Sequence, residues 1–382
     1  MASVLFPYVF LAAKASLLLR SAKLQEVAKT LGLSDTQVFF RVTIPTIFPA
    51  LVGGMMLILM EVLNNYGAVH YFGIKTFSTE IIRLWNPLNI TPVLLISIRL
   101  IIIVGVLLIV EKSFRRRKRY FGSYSGIQLP KSFSNKRKMW VYLACLIPLV
   151  LGFVIPIGQL IYWAFKNLSK VISSYFIELI GNTFLLALFG TLICIIISLI
   201  IRYSLALSHN NLNRLSARIS TFGYSLPGAV VAICVLVPVA LINQYFSILI
   251  TASYSLLIFS YVIRFNAVSY STIDGGFKKL SPNLIEASRN LGFNRLKTLI
   301  NVVVPSLKPS ILAALILVFV DIIKELPLTM LFSTFNFETL AVKAFMMMQT
   351  DGAVYQASVP SLMVVLVGLF PVLLLNKIMH QK

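Results

Sequence analysis

An all-α polytopic membrane protein built from two related halves is what this sequence predicts, and three observations carry the prediction. Apolar residues make up 58% of the chain and charged residues only 12%, against roughly a quarter charged in a soluble globule. Apolar runs of about 20 residues, the length that crosses a bilayer, recur from end to end. A pattern near the N-terminus also returns 260 positions later without a gap. Glu26-Val27-Ala28, Leu31-Gly32, Pro45 and Pro49 are answered by Glu286-Ala287-Ser288, Leu291-Gly292, Pro305 and Pro309.

Taken in order, the runs fall at about 3–19, 46–66, 93–111, 140–164, 178–202, 218–241, 246–265, 306–326 and 358–377, giving about nine transmembrane helices. The first looks superficially like a secretory signal, but no charged segment precedes it, and Lys14, Arg20 and Lys23 follow it. Those flanks predict a retained helix with Met1 outside. The stretch 21–44 reads as an elbow of two short helices, and its clearer copy is 281–304. There Ser281 is suited to cap a helix with Pro282 at its first position, running through Glu286 until Gly292 stops it in a left-handed conformation. Asn294 can cap a second short helix, expected to end before Pro305 because a residue ahead of proline prefers extended backbone. Ser21, Gly32, Ser34 and Pro45 repeat the arrangement.

The run Arg115-Arg116-Arg117-Lys118-Arg119 opens a basic stretch, 111–139, that reads as a cytoplasmic linker between the halves; contact with anionic lipid or nucleic acid is the other reading. Residues 1–110 form the first half with its elbow at 21–44, and residues 140–382 the second with its elbow at 281–304. The second half has four runs before its elbow and two after. The first has one before and two after, so it is expected to lack about three N-terminal helices, supplied by a separately encoded fragment or lost.

Net charge is +22, but the cations sort by loop and not onto a folded polar domain, so no nucleic acid partner is expected. With the elbows inside, segments 19–44, 111–139, 202–218, 264–304 and 376–382 hold 25 Lys and Arg, against five in 67–92, 165–177, 242–245 and 327–357. This places Lys382 inside. Cys145, Cys194 and Cys234 all fall in apolar runs and read as small buried hydrophobes. His70, His209 and His380 are scattered. The chain has no Gly-rich phosphate loop with Lys-Ser/Thr and no nucleophile motif, so neither an enzyme nor a directly bound cofactor is indicated.

Two acids lie inside the repeat, with Glu61 aligning to Asp321 about sixteen residues after the first proline, or ~24 Å along a helix. A carboxylate at membrane depth is costly and should face a cavity or a partner. One reading lines a pathway with Glu61 and Asp321. The other has Lys324, three residues from Asp321, neutralise it as helix-end packing. Asn65-Tyr66-Gly67 and Lys324-Glu325-Leu326-Pro327 mark where the two helices break, as helices bordering transport sites commonly do.

The spacing of a glutamate, small residues, a glycine six positions on and a proline thirteen later resembles the EAA loop of binding-protein-dependent ABC transporter permeases. The stretch from Asp321 with Lys-Glu-Leu-Pro, Phe335-Asn336-Phe337 and Thr339-Leu340-Ala341, together with Asn65-Tyr66-Gly67, looks like the ferric-iron permeases of that group. Thiamine and phosphonate permeases are near neighbours. The resemblance covers nearly the whole chain and implies a type I importer fold with two fused halves, the first incomplete, in the bacterial inner membrane.

What the resemblance implies for function follows residue by residue. Glu26, Ala28, Gly32 and Pro45, and Glu286, Ala287, Gly292 and Pro305, would couple to two copies of an ATP-binding subunit. ATP and Mg would be bound there and not by this chain. A periplasmic binding protein would deliver cargo past Glu61, Asn65, Tyr66, Asp321, Lys324 and Glu325. Ferric iron is the first expectation for that cargo, with no metal ligand assigned. Thiamine or phosphonate, a shortened non-transporting remnant, and an ion-coupled secondary carrier are the alternatives.

Overall fold

The computed structural model describes residues 1–18, 23–86, 89–116, 134–208, 210–246, 253–281, 283–332, 338–350 and 353–380. Ser21, His209, Pro282, Phe335-Asn336-Phe337, linker residues 117–133 and Lys382 lie outside them, as do the side chains of Glu26, Arg115 and Arg116. Among the described residues every regular element is a helix. They are α1 (Ala2–Leu18), α2 (Lys23–Thr30), α3 (Asp35–Val38), α4 (Ile44–Asn64), α5 (Gly67–Tyr71), α6 (Phe77–Leu84), α7 (Thr91–Arg116), α8 (Asn135–Leu149), α9 (Ile155–Val171) and α10 (Ser174–Leu207). Then follow α11 (Asn211–Ser220), α12 (Gly228–Phe246), α13 (Tyr254–Phe277), α14 (Leu284–Asn290), α15 (Arg295–Thr298), α16 (Val304–Ser306), α17 (Lys308–Ile323), α18 (Pro327–Phe332), α19 (Leu340–Gln349) and α20 (Ser358–His380).

Each of the nine predicted runs contains helix, but not all reach the length of a span. Among the described residues five continuous helical stretches are long and apolar enough to cross a membrane: Asp35–Asn64, Thr91–Phe114, Lys138–Val171, Ser174–Leu207 and Tyr254–Phe277. Two more qualify as bent pairs, Asn211–Ser225 with Gly228–Asn243 at 117° and Arg295–Ser306 with Lys308–Ile323 at 77°. The first and last runs contain shorter apolar helices, Ala2–Leu18 and Ser358–Leu369.

Two boundaries move for stated reasons. The run at 246–265 sits instead at α13, shifted toward Phe277, because Arg264 and Asp274 find partners and no longer end the helix. Arg264, counted above with the loop cations, is inside that helix and buried. The run at 218–241 is broken at Leu226-Pro227, where proline lacks an amide donor and holds the preceding residue extended; Leu226 has φ −94° and ψ 134°.

By internal contacts the chain forms two compact units, 1–63 with 99–159, and 64–98 with 160–382. In the first, α1 runs against the backbone of α4, with Val9 beside Gly54, and Phe48 meets Phe114 edge to face at 6.0 Å. In the second, α10, α13 and α17 pack together around Tyr261, Phe265, Val318, Phe319, Ile322 and Ile323. Lipid tails are as apolar as leucine, so burial alone does not hold such helices together. Close packing and cross-helix hydrogen bonds do: Ser198 Oγ donates to Asn266 Oδ1 at 2.9 Å, and Ser269 Oγ to the Cys194 carbonyl at 3.3 Å. The hydroxyls of Tyr261 and Thr329 lie 2.6 Å apart.

Candidate functional site

The two elbows adopt the same local geometry at the 260-residue offset. In each, a helix ends on a glycine with positive φ, +84° at Gly32 and +86° at Gly292. The carbonyls left open by that ending are closed in the same way. Gly32 N–H donates to the Lys29 carbonyl at 2.9 Å and Leu33 N–H to the Ala28 carbonyl at 3.2 Å; Gly292 pairs with Arg289 and Phe293 with Ser288 at the same distances. This pair of hydrogen bonds is the glycine-terminated motif expected where a chain turns sharply out of a helix. A polar cap restarts the helix. Ser34 and Gln37 form a reciprocal capping box, and Asn294 Oδ1 accepts from Lys297 N–H at 2.8 Å.

Two expectations for the elbows are corrected. The first helix of the second elbow begins at Leu284 with Asn283 as its cap residue, not Ser281. The second short helix does not end before its proline. A π turn, Phe39–Thr43 in one copy and Leu299–Val303 in the other, carries the helix on into α4 and α16. The wider turn re-pairs backbone where Pro45 and Pro305 supply no donor.

Placement of the predicted coupling residues follows from these turns. Glu286 stands exposed in the first turn of α14, beside exposed Ala287, and Ala28 is buried. Pro45 is half-buried at the second residue of α4, and Pro305 is exposed. Glu26 occupies the fourth position of α2. Among the described residues Leu31 and Leu291, ahead of the two glycines, are the most exposed apolar side chains of their elbows at 78% and 79%. Beneath the second elbow Tyr203 OH donates to the Arg295 carbonyl at 2.9 Å, and Ser288 Oγ to Thr298 Oγ1 at 3.1 Å. Val303, Leu307, Ile273 and Phe277 close the apolar floor.

The predicted pathway residues fall at two helix breaks. Asp321 and Lys324 form an ion pair at 3.0 Å in the last turn of α17, so the helix-end arrangement exists. Glu61 is half-buried in α4. Asn65 Oδ1 accepts from Ala68 N–H at 3.2 Å, just ahead of Tyr66, the cap residue of α5. Tyr66 is buried with its ring 5.2 Å from His70 and 5.1 Å from Phe345.

Glu325 behaves differently from the other acids. It is 4% exposed and faces Arg264 of α13, 6% exposed, with Nε to Oε2 at 3.5 Å. The carboxylate also accepts from Leu328 N–H at 3.2 Å, starting α18, while Arg264 Nη1 donates to the Leu226 carbonyl at 3.2 Å. Gly228 leaves room for the pair: a Cβ there would sit 2.2 Å from Glu325 Oε1 and 2.6 Å from Arg264 Nη1. Its amide donates to Asn64 Oδ1 at 2.8 Å. One buried guanidinium thus joins the break after α17 to the bend before α12. Sequence reasoning missed Arg264, although an arginine between Ile263 and Phe265 in an apolar run signals a buried partner.

Lower on the same helix Arg202 Nε meets Asp274 Oδ1 at 2.7 Å, and Lys278 meets Asp274 Oδ2 at 2.6 Å. Among the described residues no three His, Cys, Asp or Glu side chains gather as a metal site.

Three comparisons bear on this geometry. The model of a family described as binding-protein-dependent transport system inner membrane component matches residues 1–120 and 195–382. The Fe(3+)-transport system permease protein FbpB 2 of Haemophilus influenzae is 26% identical over 97% of this chain and 74% of its own. A spermidine/putrescine transport system permease protein PotC homolog of Mycoplasma genitalium is 28% identical over 36% of this chain and 48% of its own. A solved bacterial alginate ABC transporter, in complex with an alginate pentasaccharide-bound periplasmic protein, has a chain that superposes with a TM-score of 0.50 at 14% identity. That match covers 64% of this chain and 96% of the other, and it speaks for the fold alone.

Proposed function

Because the chain belongs to the family of inner membrane components of binding-protein-dependent transport systems, we propose that it is the permease of an ATP-driven importer whose cargo is ferric iron. The multi-pass architecture in the inner membrane is the family's own. The reading beyond it rests on one observation above the rest: two elbows, 260 residues apart, with the same glycine-terminated turn and the same exposed leucine.

In this reading each elbow docks one copy of a separate ATP-binding subunit, which holds ATP and Mg. Leu31 and Leu291 are the apolar anchors, and Glu26 and Glu286 meet a basic surface, with Glu286 also favoured by the helix dipole of α14. Driving a two-state permease from almost all inward to almost all outward takes about 5.5 kcal/mol of differential binding. A loosely tethered loop cannot deliver that. The second elbow is held by the Tyr203 hydrogen bond and by fully buried Val303 and Thr298, so force on α14 passes into α10, α13 and α17.

A periplasmic binding protein supplies cargo on the opposite face, where Asn65, Tyr66, Asp321 and Lys324 border helix breaks within the second unit, and Glu61 stands one turn before the end of α4 in the first. Glu325 is a positioning residue in this scheme, since Arg264 already occupies its carboxylate. Iron as cargo draws support from the Haemophilus relative.

The test is uptake of radioactive ferric iron by membrane vesicles containing the chain, its ATP-binding subunit and its binding protein. ATP-dependent accumulation is expected, abolished by Gly32→Val with Gly292→Val while the double variant still inserts. ATP-dependent uptake of thiamine, a phosphonate or a polyamine without iron would overturn the cargo and keep the importer. Wild-type uptake by the double variant would overturn the coupling role of the elbows.

A further inference from the structure

We propose that α11 is an interfacial helix whose outer face lies in the anionic headgroup layer of the membrane, on the same side as the second elbow. Helix α11 follows the span Ser174–Leu207 after three residues and belongs to the first half, Asn211–Ser225, of a bent pair that meets the apolar helix Gly228–Asn243 at 117°; the sharp bend leaves α12 as the half of that pair that enters the bilayer. Both of its ends are therefore tied to apolar helices, which keep it close to the bilayer surface whether or not its stripe is immersed. The Tyr203 bond to Arg295 places that end of α10 beside the elbow.

The orientation of α11 is the reverse of a soluble surface helix, which turns its apolar stripe inward. Here the polar face points into the protein. Asn213 Nδ2 donates to the carbonyls of Ser204 at 3.0 Å and Ser208 at 2.9 Å, and Ser220 is buried. Leu212, Leu215 and Ile219, with Phe222 just beyond, point outward at 71%, 54%, 63% and 62% exposure. At 3.6 residues per turn Leu212, Leu215 and Ile219 form one stripe. Arg214 and Arg218, both exposed, border the stripe on the side away from Asn213.

An apolar stripe edged by arginine is the pattern of a helix lying in a headgroup layer. The charge fits an anionic surface. No Asp or Glu occurs between Glu178 and Asp274, so the segment has no acid of its own to neutralise these arginines. A protein partner at this face is the competing occupant, and the test separates the two. The lipid contact itself stands apart from the importer reading, which supplies only the name of the leaflet.

The full chain, with Cys145, Cys194 and Cys234 replaced by Ala, is spin-labelled singly at Leu215→Cys, Ile219→Cys or Asn210→Cys, the last at the exposed cap residue ahead of the helix and off its stripe. It is reconstituted in phosphatidylcholine alone or mixed equally with phosphatidylglycerol, and collision with oxygen and with a nickel chelate is measured. Labels at 215 and 219 are expected to favour oxygen in the anionic bilayer, and the label at 210 to favour nickel. Arg214→Gln and Arg218→Gln are each expected to lower the immersed-to-displaced ratio at 219 roughly fivefold in the anionic bilayer, and not in phosphatidylcholine. Nickel access at 215 and 219 equal to that at 210 overturns the proposal. So does protection that arises only on adding the ATP-binding subunit. Equal immersion in both lipids overturns the anionic preference.

Discussion

At the scale of single residues the pair Arg264 and Glu325 sets the stakes. Each group is almost fully buried, so removing one partner strands a charge, and losses of about 3–5 kcal/mol are typical when a buried pair is broken that way. Replacing both by apolar side chains of similar size is often close to neutral. Glu325→Gln is therefore expected to lower the thermal midpoint of the purified chain by several degrees, and Arg264→Met to do the same. The double variant Arg264→Met with Glu325→Met should regain most of that loss. Chromatographic melting in detergent reads all three. Single variants as stable as the parent would mean that the charges are not paired in the folded chain. Gly228→Ala is the steric counterpart, because its methyl carbon would take space held by Glu325 Oε1 and Arg264 Nη1. Overpacking of this kind costs about 1–3 kcal/mol.

At the scale of elements the elbows can be dissected without touching their surface. Gly32 and Gly292 have φ near +85°, and a methyl group added at either would meet no atom within 4 Å, so the obstacle to a side chain is backbone strain and not space. That strain is roughly 1–2 kcal/mol per residue. Gly292→Ala should therefore cost little global stability yet tilt α14 against α15, and the readout is ATP hydrolysis continuing while uptake falls. Equal loss of both activities would point to unfolding. Tyr203→Phe removes only the hydroxyl that donates to Arg295, worth about 0.5–1.5 kcal/mol. It is expected to reduce uptake per ATP hydrolysed several-fold with the thermal midpoint nearly unchanged, and an unaltered ratio would show that the elbow floor is held by its apolar contacts alone.

At the scale of the whole molecule the charge asymmetry predicts sidedness. Single cysteines at Ser281 in the second elbow and at Asn210 ahead of α11 should resist a membrane-impermeant thiol reagent added from the periplasm. One at Thr350, after α19, should react. Labelling of residue 281 from outside would invert the topology and move the proposed ATPase contact to the wrong face.

Much of this architecture was legible in the chain because hydrophobic run length, glycine and proline act locally. The nine apolar runs all came to hold helix, and the two elbows took the same turn because Leu-Gly after a short helix and a polar cap two residues later leave the backbone few choices. The membrane class, the repeat and the positions of both breaks, at Asn65 and at Glu325, follow from the same local chemistry. What hydropathy could not decide was where a charged residue stops being a loop residue. Arg264 and Asp274 read as the end of a span, and they lie inside α13 because Glu325 and Arg202, 61 and 72 positions away, neutralise them. Likewise the stripe of α11 is readable as amphipathic in sequence, but which face meets protein was decided only when Asn213 found the open carbonyls of Ser204 and Ser208. Partners distant in sequence cancel the cost of burying charge and polar backbone, and that cancellation exists only once the helices have packed.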